Sequence, residues 1–140
     1  MIEKNIIIET LCACGFKKLE KENSYIREFN NYQIFADLDK NTIDYGNEIL
    51  CDRKTTTNFN DKENLVVLEC VVRLIEKGYL PSNLYLEKNC GDGKDFIDIL
   101  VLDESKKAFT VIECKTYGKE FTKAEAKAKS QGKQIFRYAV

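Results

Sequence analysis

The spacing of apolar positions divides the chain into helical and extended segments. Ile2, Ile6 and Leu11 recur near helical intervals and Gly15 follows them, so residues 2–14 read as a short helix with a glycine stop. Residues 24–29 and 32–38 read as two strands joined at Asn30-Asn31, residue types that tolerate left-handed turns. Residues 40–60 are polar and irregular, and no element is assigned to them. Asn60 then stands where it would cap a helix over 61–77, with Glu63 placed to reach back in a capping box. Gly78 stops that helix and Pro81 prevents its resumption. Residues 84–88 form a short strand and 89–94 a loop. Two apolar strands follow, 96–102 and 109–112, separated by a polar run of hairpin-loop length at 103–107. A last helix is expected over 122–139, weakened at Gly132 by about 0.5–1 kcal/mol relative to alanine.

This order predicts an α/β (α+β) chain: a central mixed sheet of three to four strands flanked by helices, preceded by an N-terminal helix and hairpin. At 140 residues it is one domain, with residues 1–60 as an extension packed on a core of 61–140. Hydrophobic residues make up 44% and charged residues 32%, an ordinary soluble balance. No apolar run approaches the ~20 residues of a membrane span. The N-terminus has an acid at Glu3 and no cleavable signal pattern, so a cytoplasmic protein without membrane contact is expected.

Six cysteines raise the question of zinc or disulfides. The chain has no histidine and no C-x₂-C spacing, so free thiols, several of them buried, are the expectation. The net charge of −1 at first argues against nucleic acid. Its distribution argues otherwise: from Lys115 onward seven basic residues face two acids, a local +5 that leaves −6 for the rest.

Candidate chemistry lies in the last two strands. Asp98 is flanked by Ile97 and Ile99; fourteen residues then intervene before Glu113-Cys114-Lys115. A hairpin returns Glu113 to the neighbourhood of Asp98, and strand alternation puts Glu113 and Lys115 on one face with Cys114 on the other. Two carboxylates and an ammonium among apolar strands are costly unless they bind something, and a divalent metal with a phosphate satisfies all three. Asp95, beside the glycine loop, competes with Asp98 as ligand, and a Glu113–Lys115 ion pair is the structural alternative to catalysis.

These residues resemble the signature of the PD-(D/E)XK nuclease superfamily, with Ile97 where the name has proline. The likeness extends to Lys54-Thr55-Thr56-Thr57-Asn58-Phe59, to Glu63 through Cys70, to Ile112 through Phe121, and to a Gln134-x-x-x-Tyr138 element. Together these are similar to the N-terminal nuclease region of restriction–modification proteins. That group includes type I restriction subunits and single-chain enzymes carrying an N6-adenine methyltransferase. The resemblance implies a restriction-endonuclease-like core and an Mg²⁺-dependent DNA endonuclease, with Mn²⁺ able to substitute. Asp98 and Glu113 would be metal ligands, and Lys115 would serve with them in catalysis. Its partners would be double-stranded DNA and methyltransferase, or motor and specificity modules, in the same or partner chains. Nucleases of this kind place another strand after the last helix, so the chain reads as an N-terminal fragment of a larger protein.

Other positions stay open. Glu69 is either a further metal ligand or half of a solvated salt bridge with Arg73 at i, i+4. Lys119, Lys123 and Lys127 recur every four residues, as a solvated face or as a phosphate-tracking surface. Gln134 and Tyr138 share one side of the final helix, where they contact DNA unless Tyr138 packs in the core. The competing reading of the whole is a catalytically silent nuclease-like module for DNA binding or assembly.

Overall fold

The computed structural model describes residues 2–116, which form an α+β structure of two α-helices and two four-stranded sheets. Helix α1 (Lys4–Ala13) turns Ile7 and Leu11 into the core. It ends at Gly15, whose φ of +82° no β-carbon favours; a β-carbon there would also stand 2.8 Å from the Arg27 guanidinium. The first sheet is antiparallel throughout, in the order β1 (Lys17–Lys18), β2 (Ser24–Glu28), β3 (Gln33–Asp37), β4 (Thr42–Asp44). The expected hairpin is β2–β3. Its left-handed asparagines are Asn23 and Asn41, which flank the β2–β3 unit, rather than the turn pair Asn30-Asn31.

The second sheet is mixed. β5 (Leu50–Cys51) runs parallel to β6 (Leu84–Asn89), which pairs antiparallel with β7 (Phe96–Leu102), itself antiparallel to β8 (Ala108–Ile112). Two expectations need correction here. The polar stretch 40–60 contains β4 and β5, strands too short to carry a periodic signal. The central sheet also takes its edge strand from upstream of residue 60, so the boundary expected there cuts through a sheet.

Helix α2 (Lys62–Glu76) lies against this sheet. Leu65, Leu68, Val71 and Val72 form its buried stripe at helical spacing and meet Leu84, Leu86, Ile99 and Val101 in one apolar cluster. Ile7 and Leu11 of α1 and Ile34 and Ile43 of the first sheet belong to the same cluster, so both sheets share one core. Each such Leu, Ile or Val contributes about 1.5–3 kcal/mol by leaving water. The cap of α2 is Asp61, not Asn60: its carboxylate accepts from the Glu63 amide at 3.0 Å. Asn60 instead accepts from the Asn41 side chain at 2.7 Å. No helix among the described residues is long and apolar enough to cross a membrane. The expected helix over 122–139, with Lys123, Lys127, Gln134 and Tyr138, and also Lys119, lies outside the described residues.

Candidate functional site

Strand pairing brings the two acids together. Ile99 faces Ile112 and Leu100 faces Val111, so one step further along the hairpin Asp98 stands opposite Glu113, where directly opposed residues share a face. The strand itself stops at Ile112, and residues 113–116 continue without a ladder. The Cys114 amide accordingly has no strand partner and donates to Asp98 Oδ2 at 2.7 Å. That bond ties the segment carrying Glu113 and Lys115 to the strand carrying Asp98.

Glu113 is held in a costly state. Its Oε1 is buried and has no hydrogen-bond partner. Burial first, then the adjacent Asp98 charge and a shared-proton contact with it, push its carboxyl up to about 8. An orphaned carboxylate oxygen facing a second carboxylate is the arrangement that a bound cation relieves. Both donors are hard oxygens. Among the described residues no three Cys, Asp or Glu side chains converge as a ready cage for a metal. Mg²⁺ does not require one, because it keeps several waters and is held by one or two carboxylates together with substrate phosphate. Asp98 and Glu113 therefore fit a magnesium-type ion and would be the residues to hold it.

Lys115 does not pair with Glu113 as the structural alternative had it. Its Nζ lies 3.2 Å from Oε1 of Glu63, in the first turn of α2, with both side chains roughly a quarter to a third exposed. Burial would lower the Lys115 ammonium, but Glu63, Asp98 and Glu113 together hold its pKa above the ordinary lysine value. Burial raises the Glu63 carboxyl, Lys115 opposes that, and Asp98 adds to it. Glu63 thus belongs to the same electrostatic group as Asp98, Glu113 and Lys115.

The position of Glu63 is set by the loop before α2. The buried Asn64 side chain donates to the carbonyls of Thr55 and Asn58 and to Asn58 Oδ1, at 2.9–3.2 Å. Thr57 in turn accepts from the Ile43 amide of β4, and Phe59 is 1% exposed. The Lys54–Phe59 segment thus anchors the start of the helix that supplies Glu63. In the sequence Glu63 has a capping role and opens one segment of the family likeness; its closeness to the acids downstream leaves no local signal.

Glu69, the sequence-derived candidate for a further ligand, takes its other reading. It receives the Arg73 guanidinium at 2.6 Å in an exposed i, i+4 pair. Asp95 lies at the end of the glycine loop, where its amide donates to Asp92 and its carbonyl accepts from Cys90.

Two neighbours complete the surroundings. Glu87 falls opposite Asp98 on the β6 side, yet the pairing skips it: its φ is +50° and its buried carboxylate accepts from Arg53 Nε at 2.8 Å. A left-handed residue inside a strand is strained, and here it coincides with a side chain turned to Arg53, whose guanidinium also covers the Phe96 ring at 3.7 Å. Beneath the site, Cys114 is 2% exposed and its Sγ lies 3.9 Å from that of Cys70 on α2. The contact lowers the Cys70 thiol to about 7, against burial, and raises that of Cys114, which burial raises further. All six cysteines are free thiols.

The chain matches no protein-family model, no curated protein and no solved structure.

Proposed function

We propose that this chain is the nuclease domain of a restriction–modification enzyme, a cytoplasmic Mg²⁺-dependent endonuclease that hydrolyses phosphodiester bonds in double-stranded DNA. One observation carries the reading: Asp98 and Glu113 stand opposite each other with a partnerless buried oxygen, and Lys115 shares their field. The likeness of Asp98…Glu113-x-Lys115 to the PD-(D/E)XK signature supports it.

Asp98 and Glu113 would hold the cation, which when bound polarises phosphate and lowers the pKa of water. Glu113 gives up its proton to enter that role, since only the ionised carboxylate is a full ligand. Lys115 places a positive charge where negative charge gathers on phosphate oxygens, and Glu63 aims it there from the first turn of α2. The Cys114 amide keeps Asp98 oriented. DNA affinity would come from the basic stretch including Lys119, Lys123 and Lys127, with Gln134 and Tyr138 as further contacts. Recognition would be the task of methyltransferase or motor and specificity modules.

The deciding experiment incubates supercoiled duplex DNA with the protein and Mg²⁺ or Mn²⁺, for wild type and for Glu113→Gln. Nicking or linearisation by wild type alone supports the assignment. Metal-stimulated DNA binding with no cutting by either protein would leave the silent-module reading in its place.

A further inference from the structure

Of the thiols in this chain, Cys70 and Cys114 touch, and they join the two elements on which the candidate site is built. Cys70 lies on α2, the helix that begins with Glu63; Cys114 sits between Glu113 and Lys115. Their sulfurs are 3.9 Å apart, whereas a disulfide closes to about 2.05 Å. The sulfurs must therefore approach by roughly 2 Å, through rotation of the two side chains, a shift of the backbone that carries them, or both. That segment has no ladder of its own and is tied to β7 through the Cys114 amide bond to Asp98. Its freedom from a sheet leaves it the easier of the two elements to move.

We propose that Cys70 and Cys114 are a reversible oxidative modification site, and that their disulfide draws Cys114 off Asp98 and so disassembles the constellation above it. The oxidant is a hydroperoxide. The Cys70 thiolate, on the partly exposed side of the pair, attacks one peroxide oxygen. The O–O bond breaks, hydroxide leaves and takes up a proton, and Cys70 becomes a sulfenic acid. The Cys114 sulfur then attacks the Cys70 sulfur, the S–O bond breaks, and the departing hydroxide carries off the Cys114 proton as water. With hydrogen peroxide the balance is two thiols and one peroxide to one disulfide and two waters. A dithiol reductant reverses it by two exchange steps. In a reducing compartment such a bond is transient and suited to sensing rather than to stability.

The disulfide stands on the thiol geometry alone; its effect on metal binding rests on the nuclease reading. A shift of about 1 Å in a catalytic group is enough to cost 10²-fold in rate, so even half of that approach, taken up by the 113–115 backbone, acts as a switch.

The test treats the full chain with hydrogen peroxide under native conditions. Non-reducing peptide mapping should recover a Cys70–Cys114 cross-link lighter by two hydrogens. Exchange of the Cys114 amide should quicken at least tenfold, and Mn²⁺ binding should weaken at least tenfold. Dithiothreitol should restore both. In Cys70→Ala, or Cys70→Ser should alanine prove poorly folded, peroxide should leave amide exchange and Mn²⁺ binding unchanged. Oxidation confined to Cys12 or Cys90, or a 70–114 cross-link with unaltered Cys114 exchange, would overturn the switch. If reduced wild type takes up no Mn²⁺ at all, it is the nuclease reading that fails, and cross-link and amide exchange still decide the proposal.

Discussion

Glu63 and Lys115 meet across 3.2 Å, joining the first turn of α2 to the segment that follows β8. This pairing changes what removal of the lysine should do. Were Lys115 the buried partner of Glu113, its loss would strand a desolvated carboxylate at a cost of ~3–5 kcal/mol. Glu63 instead keeps partial access to water, so the pair contributes on the scale of exposed ion pairs, about 1 kcal/mol or less. Lys115→Ala should therefore melt within a few degrees of wild type while DNA cleavage falls about 10²–10³-fold. Glu63→Gln should retain Lys115 and lose only its aim, giving a smaller drop in rate. A Lys115→Ala protein with wild-type stability and wild-type cutting would remove the lysine from the mechanism.

The two glutamates of α2 should separate cleanly. Glu69→Gln breaks an exposed pair with Arg73 and should leave both stability and Mn²⁺ affinity nearly unchanged. Glu63→Gln should alter Mn²⁺ affinity through the shared field of Lys115 and Asp98. Calorimetric titration of both variants against wild type decides it; equal weakening by Glu69→Gln would return that residue to the metal shell.

Why one glutamate is readable and the other is not follows from the range of each interaction. Glu69–Arg73 is a helix-surface pair at i, i+4, visible in the spacing itself. The approach of Asp98 to Glu113 is nearly as local, because a hairpin with a short polar loop fixes which residues oppose each other. Lys115 reaches Glu63 across 52 positions of chain, and Cys70 reaches Cys114 across 44; such partners depend on how α2 lies on the sheet, which periodicity does not encode. The same holds for β5. Two residues of strand have no alternation to detect, and Leu50 and Cys51 become a strand only because β6 offers them an edge. The cap falls one position later than its residue type suggests because Asn60 and Asp61 are both good caps; Asn41 engages the first and leaves the second to the helix.

Asp98→Asn should trade function for stability. Asparagine keeps an oxygen to accept from the Cys114 amide, so the segment stays in place. Loss of the Asp98 charge relieves the second-largest influence that raises Glu113, after burial. The variant should fold at least as stably as wild type at neutral pH and fail to bind Mn²⁺. Asp98→Ala also strips the acceptor from Cys114, at about 1–3 kcal/mol, and should melt earlier. If Asp98→Asn bound Mn²⁺ as wild type does, Asp98 would not be a ligand.

Glu113 gives the pH dependence its sign. Its folded-state pKa, about 8, stands above the unfolded value of 4.5, so the folded state binds the proton more tightly. The contribution is fully present below pH 4.5 and is lost as pH rises through about 8. Other carboxylates run the opposite way, Asp37 and Asp52 being lowered, so the comparison must be wild type against Glu113→Gln, which mimics the protonated form. The stability advantage of Glu113→Gln should grow from pH 4.5 to 8 and then level off. A saturating divalent cation should narrow that difference by stabilising wild type alone. Below pH 8 cation binding must displace the Glu113 proton, so affinity should rise with pH by up to about tenfold per unit. Binding heat should likewise vary with the ionisation enthalpy of the buffer. A cation that binds with no proton release near pH 7, and with equal affinity to Glu113→Gln, would place the metal elsewhere and leave the buried oxygen of Glu113 without its proposed partner.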